Sequence, residues 1–389
     1  MESITLFYAY VFASTSGCEA EARFYSRSVS AGAAQRNWVE IIKGETDMRI
    51  LTTAVIAGVV ALSVMFTGPQ LVTKSTAAAA DFKPAVIYDM GGKYDKSFNE
   101  GVWNGVEKFT KETGVEVMEF EVTNETQREQ AMRRMAERGA TIVLGVGFAQ
   151  ADAIAKVSAD YPDKQFSIID VGWLDAPNLR QYVFKEHEGS YLVGVAAALA
   201  SKTDKVGFVG GMDIPLIRKF ACGFVGGVKS VNGSAAVYQN MTGTTPSAWN
   251  DPAKGAELTR SQIDRGADVV YHAAGGTGVG VIQAAADAGK LAIGVDSNQN
   301  GMAPGSVLTS MLKRVDVAAY ETFKDAMSGS FSSGVKVLGV AEGGVDWALD
   351  ENNASLVTAS IKSAVEKARS DILSGKVVVH DFMSDSSCP

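Results

Sequence analysis

Residues 137–171 read ERGATIVLGVGFAQADAIAKVSADYPDKQFSIIDV, and residues 264–297 read DRGADVVYHAAGGTGVGVIQAAADAGKLAIGVDS. Both run from an acidic residue through Arg-Gly-Ala into an apolar strand, a Gly-containing turn and an Ala-rich helix. Each then ends in a second strand closing on an aspartate, Asp170 in one copy and Asp296 in the other. A second match precedes each copy. Lys83 begins KPAVIYDMGGKYDKSFNEGVWNGVEKF and Lys205 begins KVGFVGGMDIPLIRKFACGFVGGVKSV. Each is a strand, a Gly-rich loop and a helix with G-x-x-x-G spacing, at Gly101/Gly105 and Gly223/Gly227. A period of about 125 residues is too long for a solenoid and suits two copies of one lobe.

The strands are short continuous apolar runs, such as Ala85-Val86-Ile87-Tyr88 and Val269-Val270-Tyr271, the pattern of parallel strands buried on both faces. Alternation with helices makes the fold class α/β, with two doubly wound parallel-sheet lobes around a cleft. A helix over 125–138 follows Thr123-Asn124 and buries Met132 and Met135. The tail from Val307 supplies a strand, a helix near Val315–Met327, a strand near Val335–Val340 and a helix near Ser360–Leu373. It crosses between the lobes and completes both sheets. The expected partition is residues 81–172 with 298–345 as lobe 1, and 173–297 with 346–389 as lobe 2.

The chain carries a formal charge of −8, which speaks against a phosphate-backbone binder. Met48-Arg49, the apolar run Ile50–Phe66 and the small residues Ala77–Ala80 read as a cleaved export signal over 48–80, leaving Asp81 as the mature N-terminus. Residues 1–47 then lie upstream of a signal and read as a mis-assigned start. Cysteines are sparse. Cys18 precedes the signal, Cys222 reads as a small core residue and Cys388 as part of a polar tail. A bridge between the last two is the minor alternative. No Cys stands in a lipobox position after the apolar run.

In open α/β sheets ligands sit beyond the carboxyl ends of the strands. Asp89, Gly91-Gly92, Gly145–Phe148, Asp170–Trp173, Gly210–Asp213, Gly275–Gly278 and Asp296 follow strands and converge on one site. The aspartates either accept hydrogen bonds from a ligand or cap the following helix; their mirrored positions favour the ligand. Phe98 stands at a loop–helix junction, either stacking on a flat ring or acting as a hydrophobic staple. Asn99 beside it both donates and accepts. Gly275–Gly280 resembles a phosphate cradle, but no Lys follows, and close approach to an uncharged ligand is an equal reading. Lys313 follows a strand and points either into the cleft or to solvent. His187, His272 and His380 lack metal-ligand spacing, and no nucleophile–base pair or cofactor motif is present.

DKSFNEGVWNG, YPDKQFSIID, FKEHEGSYLVGVAAALASKTDKVGFVGGM, AIGVDSNQ and VLTSMLKRVD, in this order over residues 82–373, resemble the BMP (basic membrane protein) family of ABC-transporter substrate-binding proteins, which includes purine nucleoside receptors. The resemblance implies a type I periplasmic binding protein that is not an enzyme. Such a protein takes a purine nucleoside, without cofactor or metal, and delivers it to the membrane subunits of an ABC importer. It further implies that Phe98, Asn99 and Asp170 contact the base, that Asp89 and Asp296 hold ribose hydroxyls, and that Lys313 belongs to the site. A second aromatic on the other base face is Tyr271 or Trp173, and Gly276 completes the expected ligand set. Without a lipobox Cys, a free periplasmic monomer with no nucleic-acid partner is implied. The alternatives are a sugar-binding relative of the same fold and a nucleoside hydrolase using the paired carboxylates.

Overall fold

The computed structural model describes residues 81–389; the expected signal over 48–80, the extension over 1–47 and Cys18 lie outside the described residues. The first sheet is built from β1 (Pro84–Tyr88), β2 (Met118–Glu121), β3 (Ile142–Gly145), β4 (Gln165–Ile169) and β5 (Leu179–Phe184), with β11 (Gly334–Leu338) added at its edge. Its order is β11-β5-β4-β3-β1-β2, parallel throughout. The second sheet takes β6 (Lys205–Met212), β7 (Ala236–Gly243), β8 (Val269–Ala273), β9 (Leu291–Asp296), β10 (Val307–Lys313) and β12 (Val345–Trp347). Its order is β12-β10-β9-β8-β6-β7, with only β12 antiparallel. Each lobe thus repeats the same winding, reversing direction between β1 and β3 and between β6 and β8.

Alternate side chains on β1 serve opposite faces. Val86 and Tyr88 join the core under α1 (Phe98–Thr113), whereas Ala85 and Ile87 pack with Met132 and Met135 of α2 (Gln127–Glu137) and Ile154 of α3 (Ala151–Asp160). The expected burial of Met132 and Met135 is therefore met.

The two G-x-x-x-G helices do the same work in both lobes. A Cβ on Gly105 would overlap the carbonyl oxygen of Asp316, at the start of α8 (Val315–Ser328). One on Gly227 of α5 (Pro215–Val231) would overlap the carbonyl oxygen of Tyr191, on α4 (Glu186–Ala200). The small residues let the helix axes of α1/α8 and α4/α5 approach until backbones touch.

Strand pairing corrects two lobe boundaries. The chain leaves the first sheet between Phe184 and Glu186 rather than at residue 172, because β5 pairs with β4. It leaves the second sheet between Lys313 and Val315 rather than at residue 297, because β10 pairs with β9. The third crossing, between Leu338 and Val345, falls close to the expected residue 345. The tail completes both sheets as expected; α6 (Pro252–Asp264) and α7 (Gly278–Asp287) precede it in the second lobe, and α9 (Ala359–Leu373) and α10 (Phe382–Asp385) follow the last crossing. A disulfide joins Cys222 on α5 to Cys388, with the Cα atoms 5.0 Å apart, so the polar tail is pinned to the second lobe and Cys222 is no free core thiol. Among the described residues no helix is long and apolar enough to cross a membrane.

Candidate functional site

Both switch points face one cavity, about 590 Å³ with the open solvent at its mouth included, where an open α/β sheet is expected to bind. From the first lobe, Asp89, Asp95, Phe98, Asn99, Phe148 and Asp170 line it; from the second, Ile217, Phe220, Trp249, Gly275, Asp296 and Lys313.

The β1–α1 loop is shaped by its own side chains. Gly91 and Gly92 take φ values of 123° and 88°, which a residue with a Cβ rarely adopts. Asp95 then caps α1. Its Oδ1 accepts from the backbone N–H groups of Ser97 (2.8 Å) and Glu100 (3.1 Å), and its Oδ2 from that of Asn99 (3.0 Å). This cap sets Phe98 as the first helical residue, turned to the cavity. Asn99 ties the loop back. Its Nδ2 donates to the carbonyls of Asp89 and Gly92, both at 3.2 Å, and its Oδ1 accepts from the Asp89 N–H at 3.3 Å. Its two donors are spent on the loop, leaving one acceptor lone pair toward the cavity.

Asp170 and Asp296 occupy equivalent places in the repeat, and both have left-handed backbones, with φ of 69° and 62°. A non-glycine residue held there costs energy that an ordinary turn avoids. Neither carboxylate acts as a helix cap: Asp170 Oδ1 receives the Lys313 ammonium at 2.6 Å, and Asp296 Oδ2 receives the Ser97 hydroxyl at 2.5 Å. Both contacts bridge the lobes, as do Ser297 Oγ to the Ser97 carbonyl (2.7 Å) and Gln299 Nε2 to the Lys96 carbonyl (2.9 Å). Burial pushes Asp170 and Asp296 up to about 6, against the pull of Lys313. It does the same to Asp95, also to about 6, despite the three N–H groups. Burial raises Asp89 as well, although Arg128 Nη2 stands 3.1 Å from its Oδ1. Lys313 is held above its ordinary range: burial disfavours its charge, and Asp170, Glu186 and Asp296 together overcome that.

Asp89, Phe98, Asn99, Asp170, Asp296 and Lys313 all reach the cavity. Three expected residues do not. Tyr271 is fully buried in the core, its ring 5.4 Å from Phe208 and 5.1 Å from Phe224, and its hydroxyl 3.1 Å from Ser190 Oγ. Trp173 is 65% exposed and outside the cavity. Gly276 is not part of the lining, although its neighbour Gly275 is; a Cβ there would stand 3.3 Å from the Trp249 carbonyl oxygen and 3.8 Å from Asp95 Cβ.

The aromatic of the second lobe is Trp249, at the end of a 3-10 turn over Pro246–Trp249 after β7. Its loop is fastened by Thr277, whose Oγ1 donates to the Ala248 carbonyl (2.8 Å) and accepts from the Asp251 N–H (2.7 Å). The Gly-rich segment 275–280 thus fastens, through Thr277, the loop that carries Trp249. Trp249 escaped sequence reasoning because β7, with its partly exposed AVYQNMTG, carries no clean strand pattern. An aromatic just before Asn-Asp-Pro, on a loop after the second strand of a lobe, was the available signal. Phe220 and Ile217 were legible only as the buried stripe of α5.

The comparisons agree with this architecture. A family model described as ABC transporter substrate-binding protein PnrA-like matches residues 82–381. The ABC transporter nucleoside-binding protein BmpA of Lactococcus lactis subsp. cremoris is 33% identical over 321 residues, covering 77% of this chain and 89% of its own length. A CD4+ T-cell-stimulating antigen of Listeria monocytogenes is 33% identical over 324 residues, covering 78% of this chain and 89% of its own. The crystal structure of an ABC transporter system solute-binding protein from Aeropyrum pernix K1 superposes with a TM-score of 0.70 at 27% identity, covering 77% of this chain and 94% of that one. The chain thus belongs to the Bmp family of PnrA-like ABC-transporter substrate-binding proteins, and its two lobes are the type I periplasmic binding fold.

Proposed function

We propose that this cleft takes a purine nucleoside and presents it, chemically unchanged, to the membrane subunits of an ABC importer. The observation that carries the reading is the meeting of two aromatic side chains, Phe98 and Trp249, one from each lobe, with four aspartates, Asp89, Asp95, Asp170 and Asp296, around a single cavity. Aromatic faces suit a flat base. Ionised carboxylates accept hydrogen bonds and nothing else, which suits ring N–H groups and sugar hydroxyls. In this reading Asp170 accepts from the Watson–Crick edge of the purine, while Asp89 and Asp296 hold ribose hydroxyls. Lys313 neutralises Asp170, and Asn99 fixes the loop that carries Phe98. The name of the L. lactis relative, a nucleoside-binding protein, supports the same ligand class. The protein works as an exported, periplasmic monomer in this scheme.

Thermal unfolding against a ligand panel tests the proposal. A purine nucleoside at 100 times its Kd adds about 2.7 kcal/mol to the stability of the folded state. For roughly 300 residues that raises Tm by about 4 °C. A rise with hexoses and none with nucleosides would replace this reading with the sugar-binding one.

A further inference from the structure

A string of buried charges leaves the cavity and runs through two of the lobe crossings. The Lys313 ammonium lies 2.6 Å from Asp170 Oδ1 and 3.1 Å from Glu186 Oε1. Glu186 Oε2 lies 3.0 Å from the ammonium of Lys219, which also donates to the Phe184 carbonyl at 2.6 Å. The side chains of Asp170, Glu186, Lys219 and Lys313 are all more than nine-tenths buried, with exposures of 6%, 1%, 9% and 2%. Lys313 ends β10, immediately before one crossing, and Glu186 opens α4, immediately after another. Glu186 and Lys219 do not line the cavity. A charge buried at this depth is retained only with partners, and here each partner is shared between two others.

We propose that Glu186, although outside the cavity, is a positioning residue of the ligand site: by sharing the Lys313 ammonium with Asp170 it sets how much of that positive charge remains to keep Asp170 ionised for a ligand, and Lys219 on its far side sets Glu186 in turn. The role of Asp170 toward a nucleoside rests on the reading above; the electrostatic link does not. Removing the Glu186 charge leaves Lys313 to Asp170 and to Asp296, its neighbour across the site, and takes away a like charge that raises both aspartates. Removing the Lys219 charge acts in the opposite sense. It takes a positive group from the string and leaves Glu186 to draw harder on Lys313. The remaining groups about Glu186 are His187, Glu188 and Lys185 around the start of α4, and Asp381, whose Oδ2 is 3.8 Å from both Lys219 and His187. Burial and Lys219 hold His187 below its ordinary range.

The test is the titration of the Asp170 carboxyl carbon by NMR in the ligand-free protein, assigned with Asp170→Asn. It is run for the wild type, Glu186→Gln, Lys219→Gln and the charge-preserving Glu186→Asp. Glu186→Gln is expected to lower the Asp170 midpoint by roughly one pH unit and Lys219→Gln to raise it. Glu186→Asp should restore most of the wild-type value. Guanosine affinity measured across the same pH range is expected to move its acid limb with the Asp170 midpoint. An unchanged midpoint, or shifts of the same sign in both neutral variants, would overturn the proposal. Should Glu186→Gln not fold, the upward shift in Lys219→Gln decides alone. Opposite shifts in a protein that binds no nucleoside would leave the positioning role standing and remove the nucleoside.

Discussion

At the residue scale, Asp89, Asp170 and Asp296 were legible because they follow strands, and strand ends are where this architecture binds; Asp95, in mid-loop, was not. Asp170 and Asp296 were marked in addition by their equivalent places in the repeat. Trp249 was not legible, because its position depends on a turn whose preceding strand carries no alternation. Tyr271 was misplaced because a strand residue belongs to the core or the site according to a pleat direction that a fully apolar run does not reveal. The buried aspartates imply a cost. Asp296, pushed up to about 6 by burial, is protonated more easily in the folded protein than in the unfolded chain, whose aspartates titrate near ~3.9. Its favourable contribution to folding is complete below about pH 4 and is lost as pH rises through about 6. At neutral pH the ligand-free protein therefore carries a destabilised carboxylate. Asp296→Asn is expected to raise stability at pH 7, by up to ~3 kcal/mol, with the gain shrinking at pH 5 while nucleoside binding is weakened. Urea unfolding at both pH values reads this. An Asp296→Asn protein less stable than wild type at pH 7 would show that the Ser97 and Lys313 contacts outweigh desolvation.

At the element scale, the central strands were legible as apolar runs, whereas the edge strands β2 and β7 were hidden by partial exposure. β5 was hidden for a different reason. It carries Arg180 and Gln181 into full burial, and the partners of Arg180 are remote in sequence. Arg180 pairs with Asp325 at 2.7 Å and donates to the Ser332 carbonyl at 2.8 Å, while Gln181 exchanges two 2.9 Å hydrogen bonds with the backbone of Leu174. Missing β5 displaced the first lobe boundary. The G-x-x-x-G spacing was visible, but not which helices it serves. Gly105→Ala and Gly227→Ala drive a methyl into the backbones of α8 and α4, and each is expected to destabilise by ~1–3 kcal/mol or more. Gly233→Ala, with open space around it, should change stability by less than about 1 kcal/mol. Denaturant midpoints of the three variants compare them directly, and equal values would mean that the helix pairs yield without cost.

At the scale of the whole molecule, the duplicated lobes, their winding and the crossing tail followed from the repeat, and the family match over residues 82–381 agrees with them. What the repeat did not disclose is asymmetric. The disulfide Cys222–Cys388 lies in the second lobe, and the charge string through Glu186 runs from Asp170 of the first lobe into the second. Charged residues near a crossing read from sequence as solvated, and their burial is set by packing that local pattern does not encode. The interlobe contacts of Ser97, Gln299 and Lys313 hold the two walls against each other, so the cavity is a joint product of both lobes. Calorimetric titration with guanosine, inosine and adenosine, followed by recovery of the ligand, tests the proposal that this cleft takes a purine nucleoside and leaves it unchanged. Asp170 only accepts hydrogen bonds when ionised, so guanosine with two donors on that edge should bind tightest, inosine next and adenosine weakest. An unpaired buried acceptor costs ~1–3 kcal/mol, so the span is about tenfold or more. The expected result is saturable binding at one site in that order, with every nucleoside recovered intact; no heat from any of the three, or free base in the recovered ligand, would contradict it.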